Sequence, residues 1–207
     1  MAKTPRKEPR ADKKAMAAET RSAILRAAQK LFSTKGFFDT TIADIVDKAG
    51  VSRGTFYLYF KDREQIFATL LSQAVDEMFS LSASRPTGSR RTRIESANRA
   101  YLETFKRHRA FMRSALQVAT FDAGVAKTLS ELRGKFIDRI RTHLERSVAR
   151  GECHDIDPAI TSFLLVIMVE FTAYSWLSFG WQPDKDDFDL DKVVKEASAL
   201  WSRAVYK

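Results

Sequence analysis

Between Thr40 and Lys61 the chain reads TTIADIVDKAGVSRGTFYLYFK, and no other stretch constrains the fold so tightly. Ile42, Ile45, Val46 and Ala49 fall at i, i+3, i+4 and i+7, the spacing of one helix face, and Thr41 with Asp44 three residues on supplies its start. Gly50 ends that helix, because glycine alone takes the positive φ that swings the chain into a second helix without strain, with Val51 in the angle between the two. The second helix is predicted to open at Ser52 as its cap. If Phe56 and Phe60, four apart, turn inward, Arg53, Gly54, Thr55, Tyr57 and Tyr59 are left toward solvent. Two short helices joined at a glycine turn, the second with a polar outer face, suit insertion into the major groove of DNA.

The flanking helices follow from the same periodicity. Ile24, Ala28, Leu31 and Phe32 form a stripe that Gly36 stops, and a further helix begins after Asp62, with Gln65 completing the cap, and runs through Ile66, Phe67, Leu70, Leu71, Ala74 and Met78. Taken together, Ile24 to Gly36, Thr40-Thr41, Ile45, Ala49-Gly50-Val51-Ser52, Gly54-Thr55-Phe56-Tyr57, Tyr59-Phe60 and Lys61 resemble the N-terminal domain of the TetR family of bacterial transcriptional regulators. The resemblance extends over Thr20 to Leu71. It departs at Leu58, where many members carry a histidine.

The expected fold is all-α: an N-terminal three-helix helix-turn-helix domain followed by a C-terminal helical bundle for ligand binding and dimerisation. Three segments are expected: a basic flexible arm over 1–16, the helix-turn-helix domain over 17–64, and the bundle over 65–207. Pro5, Pro9 and six basic residues (Lys3, Arg6, Lys7, Arg10, Lys13, Lys14) mark the arm, either a minor-groove reader or a tail without specific contacts. In the bundle, helices are expected over Ile94–Arg107, Phe111–Thr120, from Gly124 to Gly151, from Asp157-Pro158 through the apolar run ending at Trp181, and over Leu190–Val205. Ser84 to Arg91 is the clearest break, and no strand alternation occurs.

Charge points the same way. Of 35 basic and 26 acidic residues, 14 and 8 lie in residues 1–64, so +6 of the net +9 sits on the N-terminal third, where phosphate would be. Three histidines without metal-ligand spacing, no phosphate loop and no nucleophile motif give no support to an enzyme, and no metal or other cofactor is expected. The single cysteine, Cys153, rules out an internal disulfide and suits a reducing cytoplasm, and the charged N-terminus lacks the apolar core of a secretion signal. Phe163 to Trp181 is a 19-residue apolar run of nearly spanning length, but Glu170 at its centre argues for a helix buried in a bundle and against a membrane partner.

On double-stranded DNA each exposed residue has an expected role. Arg53 is suited to the O6 and N7 of guanine, Ser52 and Thr55 to base edges or a thymine methyl, and Gly54 to close backbone approach. Tyr57, Tyr59, Lys61 and, at the start of the preceding helix, Thr41 are expected at phosphates, the family resemblance implying this for Tyr57 and Lys61 in particular. Tyr57 and Tyr59 have the alternative of only packing the small domain. One such unit reads few base pairs, so a homodimer on a palindromic operator is expected. The resemblance implies that the last two helices pair with their twins, and Trp176, Leu177, Leu200 and Trp201 are placed there, or else fill the monomer core.

The resemblance also implies a small apolar or amphipathic effector inside the bundle. Phe105, Phe111, Met112, Phe121, Phe136, Phe163, Ile167, Phe171 and Tyr174 are its expected lining, with Glu170 at the polar end or, alternatively, in a structural ion pair with Arg139 or Arg141. The resulting expectation is a ligand-released repressor. Its rival is an architectural, weakly specific DNA-binding protein with no ligand.

Overall fold

The computed structural model describes residues 9–83, 88–182 and 188–207. Among these residues eight α-helices follow in order: α1 Pro9–Thr34, α2 Ile42–Ala49, α3 Arg53–Tyr59, α4 Arg63–Ala83, α5 Arg90–Val118, α6 Ala123–Ala149, α7 Pro158–Ala173 and α8 Leu190–Val205. A π-helical turn, Tyr174–Ser178, continues α7. No strand is found among the described residues, only an isolated antiparallel bridge between Cys153 and Tyr206. The helices form two compact units that meet within α4, one running to Leu70 and the other from Leu71.

The first unit is built on an aromatic core. Phe32, Phe37 and Phe67 meet one another in tilted and edge-on contacts, with centroids 4.9 to 5.4 Å apart, and Ile24, Ile45, Phe56, Phe60 and Ile66 are buried with them. α1 begins earlier than the sequence suggested. Residues 9–16, expected to be flexible arm, are its first turns: this run is rich in alanine and lysine, both good helix formers, and a proline is tolerated at a helix start. Lys3, Arg6 and Lys7 lie outside the described residues.

In the second unit α5 to α8 pack with the C-terminal part of α4. Buried Asn98 donates to Ser198 at 2.9 Å, tying α5 to α8, and Phe79 and Tyr101 both meet the ring of Phe136 edge-on, tying α4 and α5 to α6. Past the π turn, Phe179 stacks on Trp181 with centroids 4.6 Å apart. A second cluster, Leu144, Cys153, Leu165, Val205 and Tyr206, lies around the bridge.

A further expectation needs correction. The predicted break between Arg107 and Phe111 does not exist: α5 runs unbroken because Arg107 and His108 each reach Glu77 of α4 at 2.9 Å, so the polar segment is satisfied inside a helix. Pro158–Ser178 is long and apolar enough to cross a membrane, yet its one carboxylate is buried in the unit against an arginine and Ser162 is fully buried.

Candidate nucleic-acid interface and effector cavity

The reading unit is positioned by caps. Thr41 caps α2 in a full capping box: Asp44 donates its N–H to the Thr41 hydroxyl at 3.1 Å, and the Thr41 N–H donates to the Asp44 carboxylate at 2.8 Å. These hydrogen bonds and the Lys35 ammonium at 3.0 Å lower the Asp44 pKa to about 2. Gly50 closes α2 at φ 67°, ψ 34°, a left-handed cap where a side chain would be strained. Ser52 then caps α3, accepting the Thr55 N–H at 3.0 Å, and its hydroxyl also bonds that of Thr55 at 2.9 Å.

α3 is pinned from behind by Phe56 and, just past its end, Phe60, over whose ring Arg21 lies at 5.0 Å. Arg53, Gly54, Tyr57 and Lys61 are exposed, and Thr55 and Tyr59 are half-buried. Leu58 also points outward, at 81% exposure. One positioning residue escaped the sequence reading. Arg63, at the start of α4, donates through Nη1 to the carbonyls of Phe37, Phe38 and Thr40 at 2.7 to 3.2 Å and lies over the Phe37 ring. It thereby fixes the turn that delivers α2, and only its place directly after the capping Asp62 could have drawn attention to it.

The body contains a cavity of about 820 Å³, within the usual size of a small-molecule site. Its walls come from α4 (Phe79, Ser82), the first half of α5 (Arg90 to Tyr101), α6 (Lys135 to Arg146), α7 (Leu165, Val166, Val169) and α8 (Trp201). A second void of about 20 Å³, room for about one water, lies by Tyr101, Arg133 and Glu170.

Residues 24–70 match the sequence model described as bacterial regulatory proteins, tetR family. These residues form a DNA-binding domain of the TetR family. Among similar proteins, the HTH-type transcriptional regulator EthR of Mycolicibacterium smegmatis is 25% identical over 89% of this chain and 85% of its own. The transcriptional repressor BepR of Brucella suis is 44% identical over 30% of this chain and 29% of its own. The TetR fold itself recurs in solved structures. Salmonella enterica GusR superposes with a TM-score of 0.72 at 19% identity, covering 90% of this chain and 95% of that one. A transcriptional regulator of Saccharomonospora viridis, solved in complex with choline, reaches 0.75 at 16% identity over 92% of this chain and 99% of its own. The chain is thus a helix-turn-helix transcriptional regulator of the TetR type.

Against this TetR framework the expected site residues separate. Of the ten expected at the effector, only Phe136 lines the large cavity, while Met112 and Glu170 line the small void with it. Phe105, Phe111 and Tyr174 are core, Phe105 meeting Tyr174 edge-on at 4.9 Å. Phe163 and Phe171 are exposed and Ile167 half-buried, because the helical period of α7 turns them away from Leu165, Val166 and Val169. Phe121 is 81% exposed beyond the end of α5. Glu170 is neither free nor paired with Arg139 or Arg141: Arg133 grips both its oxygens, at 2.6 and 2.9 Å, and these bonds raise the pKa of the guanidinium. Burial, aided by Glu170, pushes the phenols of Tyr101 and Tyr174 upward. Trp201, expected at a dimer surface, walls the cavity. Trp176 and Leu177 are half-buried in the π turn, and Leu200 is exposed. At Thr41 the anticipated phosphate site is filled from within, since its N–H and hydroxyl both face the ionised Asp44.

Proposed function

We propose that this chain is a homodimeric repressor that binds a palindromic operator through α3 and leaves it when a small apolar or amphipathic molecule occupies the cavity of the body. One observation carries the reading. The short helix α3, capped by Ser52 and anchored by Phe56, turns Arg53, Gly54 and Tyr57 outward together, so that a guanidinium and a glycine backbone stand side by side where a groove would lie. Arg53 reads guanine, Ser52 and Thr55 present short side chains to base edges, and Tyr57, Tyr59 and Lys61 hold phosphates.

Two further features support the regulatory half. Ile160, Phe163, Leu164 and Phe171 leave an apolar stripe exposed on α7, with Leu200 on α8, which suits a two-fold pairing of these helices. The cavity is large enough for an effector, and the related fold from Saccharomonospora viridis holds choline. α4, continuous from reading unit to body, is the element through which occupancy would shift the heads, provided the effector binds one state better than the other.

Selection of bound sequences from a random duplex pool, at low and at high salt, tests the reading. Enrichment of a palindrome whose half-sites lie about one helical turn or a multiple apart is expected. Binding without enrichment, lost as salt rises, would instead fit an architectural protein.

A further inference from the structure

The wall of the large cavity is apolar over Ile94, Phe136, Leu165, Val169 and Trp201, and strongly one-signed elsewhere. Arg90, Arg93, Lys135, Arg139 and Arg146 line it with a single carboxylate, Asp138. Some of these charges are already matched. Arg90 pairs with Glu152 at 2.7 Å and Lys135 with Asp76 at 2.7 Å, and Asp138 is itself held by Arg141 at 2.9 Å. Arg93, Arg139 and Arg146 have no carboxylate partner among the described residues.

Arg139 is the most telling of the three. Its guanidinium donates to neutral acceptors alone, the Phe79 carbonyl at 3.1 Å and the Ser82 hydroxyl at 2.9 Å, and lies over the rings of Phe79 and Phe136 at 4.5 and 5.4 Å. A half-buried cation without counter-charge is costly unless an anion completes its surroundings, and three of its five N–H groups remain to be used. Burial accordingly lowers its pKa. Arg139 and Arg146 stand seven residues apart with His143 between them, along one face of α6. His143 is held below its usual range by burial and then by Arg150, Arg90 and Arg93, so positive potential from α5 reaches the same place. Trp201 adds a buried indole N–H with no acceptor.

We infer that the cavity takes an amphiphilic anion, its carboxylate or phosphate head on Arg139 between Arg93 and Arg146 and its apolar tail along Phe136, Leu165, Val169 and Trp201. The inference rests on the reading of this cavity as the effector site. A neutral or quaternary-ammonium head on the same tail leaves Arg139 uncompensated.

The test compares four probes of one tail length below their micelle concentrations: dodecanoate, dodecyl phosphate, dodecanol and dodecyltrimethylammonium. Calorimetric binding and the shift in thermal midpoint of the full chain are read for each. At least one anion is expected to bind about tenfold or more tighter than dodecanol, the worth of one charge-assisted hydrogen bond, and the stronger of the two identifies the head group. Arg139→Gln should bring the anions down to the level of dodecanol. Where that variant does not fold, the Arg93→Gln, Arg146→Gln double variant carries the same comparison, and Ala97→Trp, which fills the cavity, should abolish binding. Equal binding of all four heads, or a preference that survives these substitutions, overturns the anion inference and leaves the effector cavity standing. Binding of none of the four removes both.

Discussion

At the scale of single residues, the reading unit divides labour between side chains that face outward and those that hold them there. Arg53 and Lys61 are both exposed, but a guanidinium at the start of α3 and an ammonium beyond its end face different parts of a duplex. Arg53→Ala is expected to relax discrimination between an operator and its mutated copy, whereas Lys61→Ala should weaken all sequences alike and flatten the salt dependence of log K by about one unit. Binding titrations on both duplexes at several salt concentrations separate the two, and unchanged discrimination in Arg53→Ala removes its base-reading role. Arg63 belongs to the holding group. Arg63→Met keeps the stem over Phe37 but deletes three hydrogen bonds to backbone carbonyls, and should cost about 2 kcal/mol in chemical denaturation while lowering operator affinity. A variant as stable as the parent would show that the turn before α2 holds itself.

Helices in this chain are specified by local signals and joined by distant ones. The starts at Thr41, Ser52 and Asp157 and the stops at Gly50 and Gly151 were legible because each cap involves residues two to four apart. What lay beyond reach came from packing. The continuity of α5 depends on Glu77, 31 residues before His108, and the partner of Glu170 lies 37 residues away on α6. Arg133, Arg139 and Arg141 share that helix, and only its rotation selects Arg133 for Glu170 while turning Arg139 into the cavity. The cavity was hidden for the same reason: five helices contribute its wall, and the aromatic residues that suggested it mostly pack elsewhere. The Arg133–Glu170 pair allows a direct test. Glu170→Gln leaves a half-buried guanidinium without its counter-charge and should destabilise by about 3 kcal/mol, while the joint Arg133→Met, Glu170→Leu change should recover most of that loss. Urea unfolding of the parent and the two variants decides it, and a double variant no more stable than Glu170→Gln would mean that the pair does not act as a unit.

For the whole molecule, the exposed stripe of α7 and α8 is the feature a monomer has least reason to keep. Leu164 is 59% exposed and Leu200 55%, so replacing Leu164 by Glu should leave thermal stability of the isolated subunit nearly unchanged. The same change is expected to shift sedimentation from dimer to monomer at micromolar concentration and to weaken operator binding at least tenfold, since each half-site is then held alone. A dimer that persists would place the interface on another face. The chain also reports on itself through light. Its three tryptophans, Trp176, Trp181 and Trp201, all belong to the body, while the unit that ends at Leu70 holds only tyrosine and phenylalanine. Emission excited at the red edge of the indole band therefore registers one unit and is blind to the other. Because Trp201 stands in the cavity wall and Trp181 is open to solvent, a soluble quencher silences the second first, and what remains, over a constant background from half-buried Trp176, is a native optical gauge of whether the cavity is filled.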